Sequence, residues 1–146
     1  MALSEVKDAS GKITARGYLL NGKKQGAWVE YLDNNLIRAV TSYDQDKKEG
    51  LYLEFSNSNQ VKRSCFYHQD QRHGEYREFQ GVAVKEERTY DNGKPIGVVK
   101  IYYDNGKLME ESLYENGLRN GVSKWYDQNG NLSIEYEYKN GELVKK

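Results

Sequence analysis

The sequence predicts an all-β protein: a single-domain antiparallel β-meander, a repeat of two-stranded hairpins of about 24 residues each, that forms an elongated twisted sheet. A tyrosine recurs every 23 to 25 residues, and a glycine follows each of the first five, seven or eight positions later. Six Asn-Gly pairs, which favour tight hairpin turns, separate short runs of alternating polarity. The recurring tyrosines are Tyr18, Tyr43, Tyr67, Tyr90, Tyr114 and Tyr138.

This period organises the whole chain. Sequence units that recur at a fixed spacing stack on copies of themselves, so each copy contacts its neighbours. The repeats begin near residues 18, 43, 67, 90 and 114, and a truncated copy begins near residue 138. No linker or change in composition interrupts the chain, so we expect one domain over residues 1–146, with roughly eleven strands.

The first three repeats indicate where the hairpins turn and where the pattern is irregular. Asn21-Gly22 marks the turn of the first repeat. In the second repeat, a loop at Ser58-Asn59 places Glu54 opposite Arg63, an opposite-charge pair. In the third repeat, Gln80-Gly81 is one residue short, so we expect a bulge or an altered turn there.

The fourth and fifth repeats predict their own strand register. Asn105-Gly106 and Asn129-Gly130 are interpreted as two-residue loops. In both repeats the resulting register places a lysine opposite a glutamate, which is a stabilising cross-strand pair. The predicted pairs are Tyr103 with Leu108, Ile101 with Glu110, Lys100 with Glu111, Trp125 with Ile134 and Lys124 with Glu135.

The same register divides the side chains between two faces. An aliphatic residue stands six positions before each later repeat tyrosine, and it is predicted on the apolar face of Trp28. The other face mixes aromatic and charged residues. The aliphatic residues are Ile37, Val61, Val84, Leu108 and Leu132, and the aromatic residues of the mixed face are Tyr31, Phe55, Phe66, Phe79, Tyr102 and Tyr126.

The balance of charge limits the classes of partner. Lys plus Arg and Asp plus Glu number 22 each, so no net field attracts nucleic acid or an anionic membrane. No run approaches the about 18 apolar residues of a membrane span, and the N-terminal segment lacks the apolar stretch of a leader. We expect no integral membrane segment and a cytoplasmic location, unless a cleaved leader precedes this sequence.

The groups that could carry chemistry have structural explanations. Cys65, His68 and His73 suggest a metal site, but the histidines flank a predicted turn and no second cysteine supports them, so we expect no metal. Adjacent glutamates such as Glu110 and Glu111 point to opposite faces of a strand and cannot act as an acid–base pair. No phosphate-binding glycine loop or nucleophile triad is present, so the sequence predicts no enzyme and no cofactor.

Several cations fall at the predicted turns of one sheet edge. A lipid site would need such a group, but acidic residues accompany these cations at the same turns. We therefore interpret the cations as solvated turn residues. They are Lys23, Lys24, Lys47, Lys48 and Arg72.

The segment from Tyr90 to Gly141 has the order Tyr, Asn-Gly-Lys, Gly, an aromatic strand, Asn-Gly and a return to Tyr. This pattern resembles the MORN-repeat family, in particular its bacterial variant branch, whose YwqK-like members are labelled antitoxins. The likeness extends from about residue 11 to residue 141. Asp46-Lys47 and Asp70-Gln71 depart from the pattern, because they stand in place of Asn-Gly.

The leading hypothesis is a non-enzymatic protein-interaction module. The resemblance implies an antitoxin or immunity protein that binds and occludes another protein, a toxin. A charge-balanced sheet rich in tyrosine has a composition favoured at interfaces. Trp28, Tyr52 and Tyr76 have an alternative explanation as core residues. The candidate aromatic anchors are Trp28, Tyr31, Tyr52, Phe55, Tyr76, Phe79, Tyr102 and Tyr126.

Two other functions fit the same sequence. One is a structural scaffold that self-associates through the end strands of its open sheet, although Lys145 and Lys146 oppose such pairing. The other is a cell-surface repeat that binds carbohydrate on its aromatic platforms, or lipid, and it requires export. Truncation of the third repeat separates these classes, because a protein interface that spans the repeats is lost and a site local to one repeat survives.

Overall fold

The structure, a computed structural model, describes residues 1–145. These residues form no helix and thirteen strands, which lie in chain order in one open antiparallel sheet, so the predicted all-β meander is confirmed. The count exceeds the roughly eleven strands expected because the chain before the first repeat turn, at Asn21-Gly22, already forms two strands. The strands are β1 (Ala2–Lys7), β2 (Ile13–Leu20), β3 (Lys23–Tyr31), β4 (Ile37–Asp44), β5 (Lys47–Phe55), β6 (Val61–His68), β7 (Gln71–Gln80), β8 (Ala83–Asp91), β9 (Lys94–Tyr102), β10 (Leu108–Glu115), β11 (Leu118–Tyr126), β12 (Leu132–Lys139) and β13 (Glu142–Lys145).

Two compact units divide the chain. Unit 1 comprises residues 1–71, and unit 2 comprises the described residues from Arg72 onward. Each unit contains the repeating hairpins, and each is described by itself below. A single domain over residues 1–146 stays a prediction. Lys146, which was expected to oppose strand pairing together with Lys145, lies outside the described residues.

Two-residue turns join each even-numbered strand to the next odd-numbered strand. Both residues of each turn have positive φ, the type I′ geometry that matches the twist of a hairpin. The second and third repeats turn at Gln45-Asp46 and Gln69-Asp70, one residue before Asp46-Lys47 and Asp70-Gln71. The predicted position of these departures is wrong because aspartate, like glycine, tolerates left-handed backbone and takes the second turn position.

Hydrogen bonds join successive turns within each unit. The amide of the second turn residue donates to a carbonyl in the preceding repeat, over 2.7–3.0 Å. In unit 1 the aspartates add a second bond, because Asp46 and Asp70 Oδ1 accept the amides of Lys24 and Lys48 at 2.7 Å. A glycine cannot make this second bond. The backbone bonds run from Asp46 to Lys24, Asp70 to Lys48, Gly93 to Arg72, Gly117 to Pro95 and Gly141 to Arg119.

Wider loops join the strands at the other edge. In each five-residue loop the amide of the first residue donates to the carbonyl of the fifth, and the amide of the fourth residue donates to the carbonyl of the first. These loops are residues 32–36, 56–60, 103–107 and 127–131. The third repeat has the altered turn that was expected, with Gln80 paired to Ala83. Four of the five pairs predicted for the later repeats are confirmed, and so is Glu54 with Arg63. Tyr103 opposite Leu108 is wrong, because Tyr103 lies in the loop and Tyr102 pairs with Leu108.

The register shifts by one residue beside every wide loop and beside the altered turn. Each return strand holds one extra residue there, which reverses the alternation of side chains. Cross-strand partners share a face. The five aliphatic residues therefore lie with the strand-end aromatic residues, and their predicted place beside Trp28 is wrong. The pairs are Tyr31–Ile37, Phe55–Val61, Phe79–Val84, Tyr102–Leu108 and Tyr126–Leu132.

The buried side chains all lie on one face of each unit. We call this the core face, and the opposite one the outer face. Burial on one side is enough for a single-layer sheet, because neighbouring repeats cover one another's small residues with larger side chains. The buried residues are Trp28, Ala39, Thr41 and Cys65 in unit 1, and Tyr76, Val99, Glu110, Ser112 and Ser123 in unit 2.

Candidate functional site

A ladder of cations and aromatic rings covers the core face of unit 1. Lys24 Nζ lies 4.8 Å from the ring centroid of Trp28 and 4.9 Å from that of Tyr43. Lys48 Nζ lies 5.8 Å and 5.0 Å from the centroids of Tyr52 and Tyr67. All four distances fit cation–π attraction. The interpretation of these lysines as solvated turn residues is therefore wrong, because their aliphatic stems carry the charge back over the rings.

Unit 2 continues the ladder with arginine. The Arg72 guanidinium lies 4.8 Å from the ring of Tyr76 and 5.5 Å from that of Tyr90. Sequence reasoning missed the signal, which is a cation two positions before the repeat glycine in four of five repeats. The residues at that position are Lys24, Lys48, Arg72, Pro95 and Arg119.

Arg119 holds a buried polar network. Its guanidinium donates to Glu110 Oε1 at 3.0 Å and to the hydroxyls of Ser112 and Ser123 at 2.8 and 3.0 Å. Ser112 and Ser123 are fully buried, and Glu110 is 6% exposed. The rings of Tyr114, Trp125 and Tyr138 surround the same guanidinium at 5.2–5.6 Å. One side chain thus satisfies three buried polar groups.

Pro95 interrupts the ladder in the fourth repeat. The aromatic residue expected four positions later is also absent there, because Val99 takes that place and is fully buried. Arg88, on the neighbouring strand, brings a guanidinium to this region, where it pairs with Glu86 and interacts with Tyr90 and Tyr114. Burial lowers the pKa of Arg88, but the hydrogen bond to Glu86, the charge of Glu86 and the nearby Tyr90 and Tyr114 together raise it above its ordinary value.

Three of the predicted anchors lie on the core face. Trp28 and Tyr76 are buried, with exposed fractions of 3% and 5%. The Trp28 indole N–H donates to the Tyr18 carbonyl at 3.0 Å. Burial raises the pKa of Tyr52, and its hydrogen bond to Glu54 raises the pKa further. Trp28 and Tyr52 are therefore committed to contacts within unit 1.

The outer face of unit 1 is apolar. Val29 pairs with Val40, and Val40 pairs with Leu53, so three aliphatic residues cross three adjacent strands. Further apolar residues of this face are Ala27, Tyr31, Ile37, Leu51, Phe55, Val61 and Phe66. Leu51 and Phe66 expose 41% and 43% of their surfaces. Sequence reasoning did not single out Val29 or Val40, whose position follows from the register alone.

The outer face of unit 2 is charged at the equivalent positions. A row of alternating cations and anions crosses six strands, and each member pairs with the next. The Tyr102 hydroxyl donates to Glu87 at 3.4 Å. Burial raises the pKa of Tyr102, and the charge of Glu87 adds to this. The row consists of Arg77, Glu87, Lys100, Glu111, Lys124 and Glu135.

The structure therefore separates the predicted anchors. Tyr31 and Phe55 lie on the outer face of unit 1, and Phe79, Tyr102 and Tyr126 lie on that of unit 2. All five are half-buried at strand ends. A partner protein can contact these five, whereas Trp28 and Tyr76 offer almost no surface.

The structure brings no metal-binding group together. Across residues 1–145 there is no cluster of three His, Cys, Asp or Glu side chains with ligand geometry. Cys65 is buried, His68 pairs with Glu49 at 2.9 Å, and His73 lies 3.5 Å from Asp91. No helix in the described part of the chain is long and apolar enough to cross a membrane.

The solved structures that are similar to this chain include one that matches a small part of a longer protein. The structure of an S. aureus TarM mutant in complex with fondaparinux, alpha-GlcNAc-glycerol and UDP is similar to this chain at 14% identity, with a TM-score of 0.44. The match covers 75% of this chain but only 22% of the TarM chain. No curated protein sequence matches the chain.

The repeats of unit 2 carry a family signature. A family model described as the MORN repeat variant matches residues 95–116 and 119–140, each of which contains one strand–turn–strand unit of the observed sheet. MORN repeats are in general non-catalytic repeats that contact proteins or membranes. Two adjacent repeats of this chain are therefore similar to the MORN repeat variant.

Proposed function

We propose that this protein is a non-enzymatic interaction module that binds another protein with the outer face of unit 1. The observation that carries the proposal is the apolar row of Val29, Val40 and Leu53, which the core of the unit does not use. Val29, Val40 and Leu53 are half-buried, and Leu51 and Phe66 on the same face are exposed. Apolar surface grouped on one face marks an interaction site, whereas scattered apolar residues do not. Half-buried Tyr31 and Phe55 border the row, and aromatic residues are enriched at interfaces.

The concrete form that we propose is an antitoxin or immunity protein. Such a protein inhibits its partner by covering the partner's active surface, so it needs a rigid binding face and no catalytic group of its own. The described sheet supplies a face fixed by backbone pairing on every interior strand. The matching MORN variant repeats support an interaction role. The cytoplasm is the compartment that we propose for this activity.

A capture experiment with matched variants tests the proposal. The test variant is Val40→Glu with Leu53→Lys, which copies the Glu–Lys pairs that cross the outer face of unit 2. The control is Val98→Glu with Leu113→Lys, which changes an exposed apolar pair of unit 2 in the same way. We expect wild type and control to retain one stoichiometric protein from native lysate, and the test variant to lose it.

The activity of the captured protein then distinguishes a general interaction module from an antitoxin or immunity protein. If adding the wild-type chain inhibits an enzymatic or growth-arresting activity of that protein, the antitoxin form is supported. Retention of the same protein by the test variant, after circular dichroism shows an intact sheet, contradicts binding through the outer face of unit 1. Capture of nothing by any of the three chains contradicts the interaction role.

A further inference from the structure

We propose that Asn21-Gly22 is a site of spontaneous deamidation, a reaction in which the asparagine side chain becomes a carboxylate without an enzyme. Asn-Gly is a reactive sequence for this chemistry, because glycine has no side chain to hinder attack by its own nitrogen. Four two-residue turns of the described sheet are Asn-Gly, at Asn21, Asn92, Asn116 and Asn140. Their environments differ, and the first turn is the least restrained.

The reaction consumes water and releases ammonia. The backbone nitrogen of Gly22 gives up its proton to solvent and attacks Cγ of Asn21. The bond between Cγ and Nδ2 breaks, and the departing NH2 group takes up a proton and leaves as ammonia. Water then opens the resulting five-membered succinimide ring. Opening at Cγ gives aspartate, and opening at the backbone carbonyl carbon gives isoaspartate, whose main chain runs through Cβ and Cγ. Either product adds one carboxylate to the chain.

The closed turn does not react. In a type I′ turn the first residue has ψ near about +30°, which directs the nitrogen of the next residue away from the first residue's Cβ. The φ angles of 53° at Asn21 and 46° at Asn92 belong to this geometry. The ring therefore closes only after the turn opens and ψ of the asparagine rotates. The rate of deamidation is then proportional to the population of the open turn.

A hydrogen bond between repeats resists this opening at three of the four turns. The amides of Gly93, Gly117 and Gly141 hold the nitrogen atoms that would attack, and each donates to a carbonyl of the preceding repeat over 2.7–2.9 Å. Gly22 is exposed, and its amide donates to no backbone carbonyl within residues 1–145. Loss of one backbone hydrogen bond raises the population of an open state by about fivefold.

The space around the turn glycines differs in the same sense. A Cβ added to Gly117 would lie 3.5 Å from the Lys94 side chain, and one added to Gly141 would lie 3.4 Å from that of Leu118. The preceding repeat thus covers these two turns. Among the described residues, nothing lies within 4 Å of the same point on Gly22. Opening of the first turn therefore displaces no neighbouring side chain.

The full chain contains a matched control, because Asn21 and Asn92 begin the same tripeptide, Asn-Gly-Lys. Folded wild-type protein is incubated at mildly alkaline pH, and conversion of each asparagine is followed by peptide mapping with mass spectrometry. We expect Asn21 to convert about fivefold faster than Asn92. In chain unfolded by urea, where local sequence alone sets the rate, we expect the two asparagines to convert at similar rates.

Two variants test the site by charge. Asn21→Gly removes the reactive amide and leaves Gly-Gly, which type I′ turns accept, and Asn92→Gly is the matched control. The formal net charge of the chain is zero at pH 7, so one new carboxylate lowers the isoelectric point. We expect the acidic species that accumulates in incubated wild type to be lost in Asn21→Gly and retained in Asn92→Gly.

Three results would overturn the proposal. The first is conversion of Asn92 at the same rate as Asn21, or faster, in the folded chain. The second is a folded chain in which Asn21 stays intact while the unfolded chain reacts. The third is an acidic species that persists undiminished in Asn21→Gly. None of these results bears on protein binding by the outer face of unit 1, so the proposed function stands or falls separately.

Discussion

The outer faces of the two units differ at equivalent positions of one repeat. In unit 1 the central row is Val29, Val40 and Leu53. In unit 2 the same row alternates between lysine or arginine and glutamate over six strands. The charged row shows that this backbone accepts cross-strand pairs of opposite charge at these positions. The apolar row of unit 1 is therefore not demanded by the fold.

The core faces differ in a second way. Unit 1 fills its core with rings, and the Trp28 indole lies directly across Gly17. Unit 2 places the small residues Ser112 and Ser123 below the single guanidinium of Arg119. The free energy of unfolding should therefore be most sensitive to a packing defect in unit 1 and to the loss of a charge in unit 2.

The largest effect is expected for Arg119→Ala. This change leaves the buried carboxylate of Glu110 without its cation and removes a donor from Ser112 and Ser123. We expect a loss of about 3 kcal/mol in the free energy of unfolding, measured by urea denaturation. Arg119→Lys, which keeps the charge but not the fork of donors, should recover only part of it. A loss below about 0.5 kcal/mol would show that water replaces the guanidinium and that Glu110 does not depend on it.

Gly17→Ala is expected to cost about 2 kcal/mol, because an added Cβ lies only 2.3 Å from the Trp28 ring. The cost should fall sharply in a Trp28→Ala background, since the clash is then absent. The same denaturation curves measure both values. Equal costs in the two backgrounds would mean that the alanine acts through something other than the indole.

Replacing part of the charged row sharpens the comparison of the outer faces. Glu111→Val with Lys124→Leu gives unit 2 an apolar cross-strand pair in place of a pair of opposite charges. We expect stability to change by less than about 1 kcal/mol, because exposed ion pairs contribute little. New concentration-dependent association is expected in sedimentation velocity. A variant that stays as soluble and as monodisperse as its parent would show that two apolar residues do not make this face adhesive.

Lys48→Ala is expected to cost about 0.5 to 1 kcal/mol, since it removes one half-buried cation from the rings of Tyr52 and Tyr67. Lys47→Ala is the matched control, because Lys47 is the exposed neighbour of Lys48 in the sequence and no ring contact is known for it. It should change stability by less than about 0.5 kcal/mol. Identical values for the two lysines would remove the cation–π ladder as a source of stability.

The smallest effect on stability is expected from a fall in pH, which acts on two equivalent loops, one in each unit. Backbone hydrogen bonds to Asn131 and Asn129 lower the pKa of Asp127, and bonds to Ser10 and Lys12 lower that of Asp8. Because the pKa is lowered in the folded state, these bonds stabilise the loops fully at a pH above the ordinary aspartate pKa of 3.8. The stabilisation is lost as the pH falls through the folded-state pKa. Amide shifts in NMR titrations should therefore move with midpoints below 3.8. A midpoint above 3.8 contradicts this.

Much of the strand register follows from the sequence. Asn-Gly turns and lysine–glutamate matching place Lys100 opposite Glu111 and Lys124 opposite Glu135, and both pairs are present. The face of Ile37 does not follow, because one extra residue beside each loop reverses the alternation, and alternation is the only signal the sequence offers there.

The candidate site is less predictable than the sheet. Aromatic composition selects Trp28 and Tyr31 alike, and only the register places them on opposite faces. Lys24 has the sequence context of a solvated turn, and its position over Trp28 depends on a rotamer that no spacing rule fixes. Val40 carries no functional signal by itself and gains one only from its neighbours across two strands.

The hydrogen bonds between successive turns have a consequence for how such chains change in length. Each bond joins two backbone atoms 21 or 22 residues apart and does not depend on which side chains stand at its ends, as the carbonyl of Pro95 accepting from Gly117 illustrates. Gain or loss of one whole repeat preserves the pattern, whereas an insertion within a turn breaks it. Gene duplication can therefore lengthen this edge one copy at a time, and the wide loops opposite remain the place where new sequence enters without cost to the ladder.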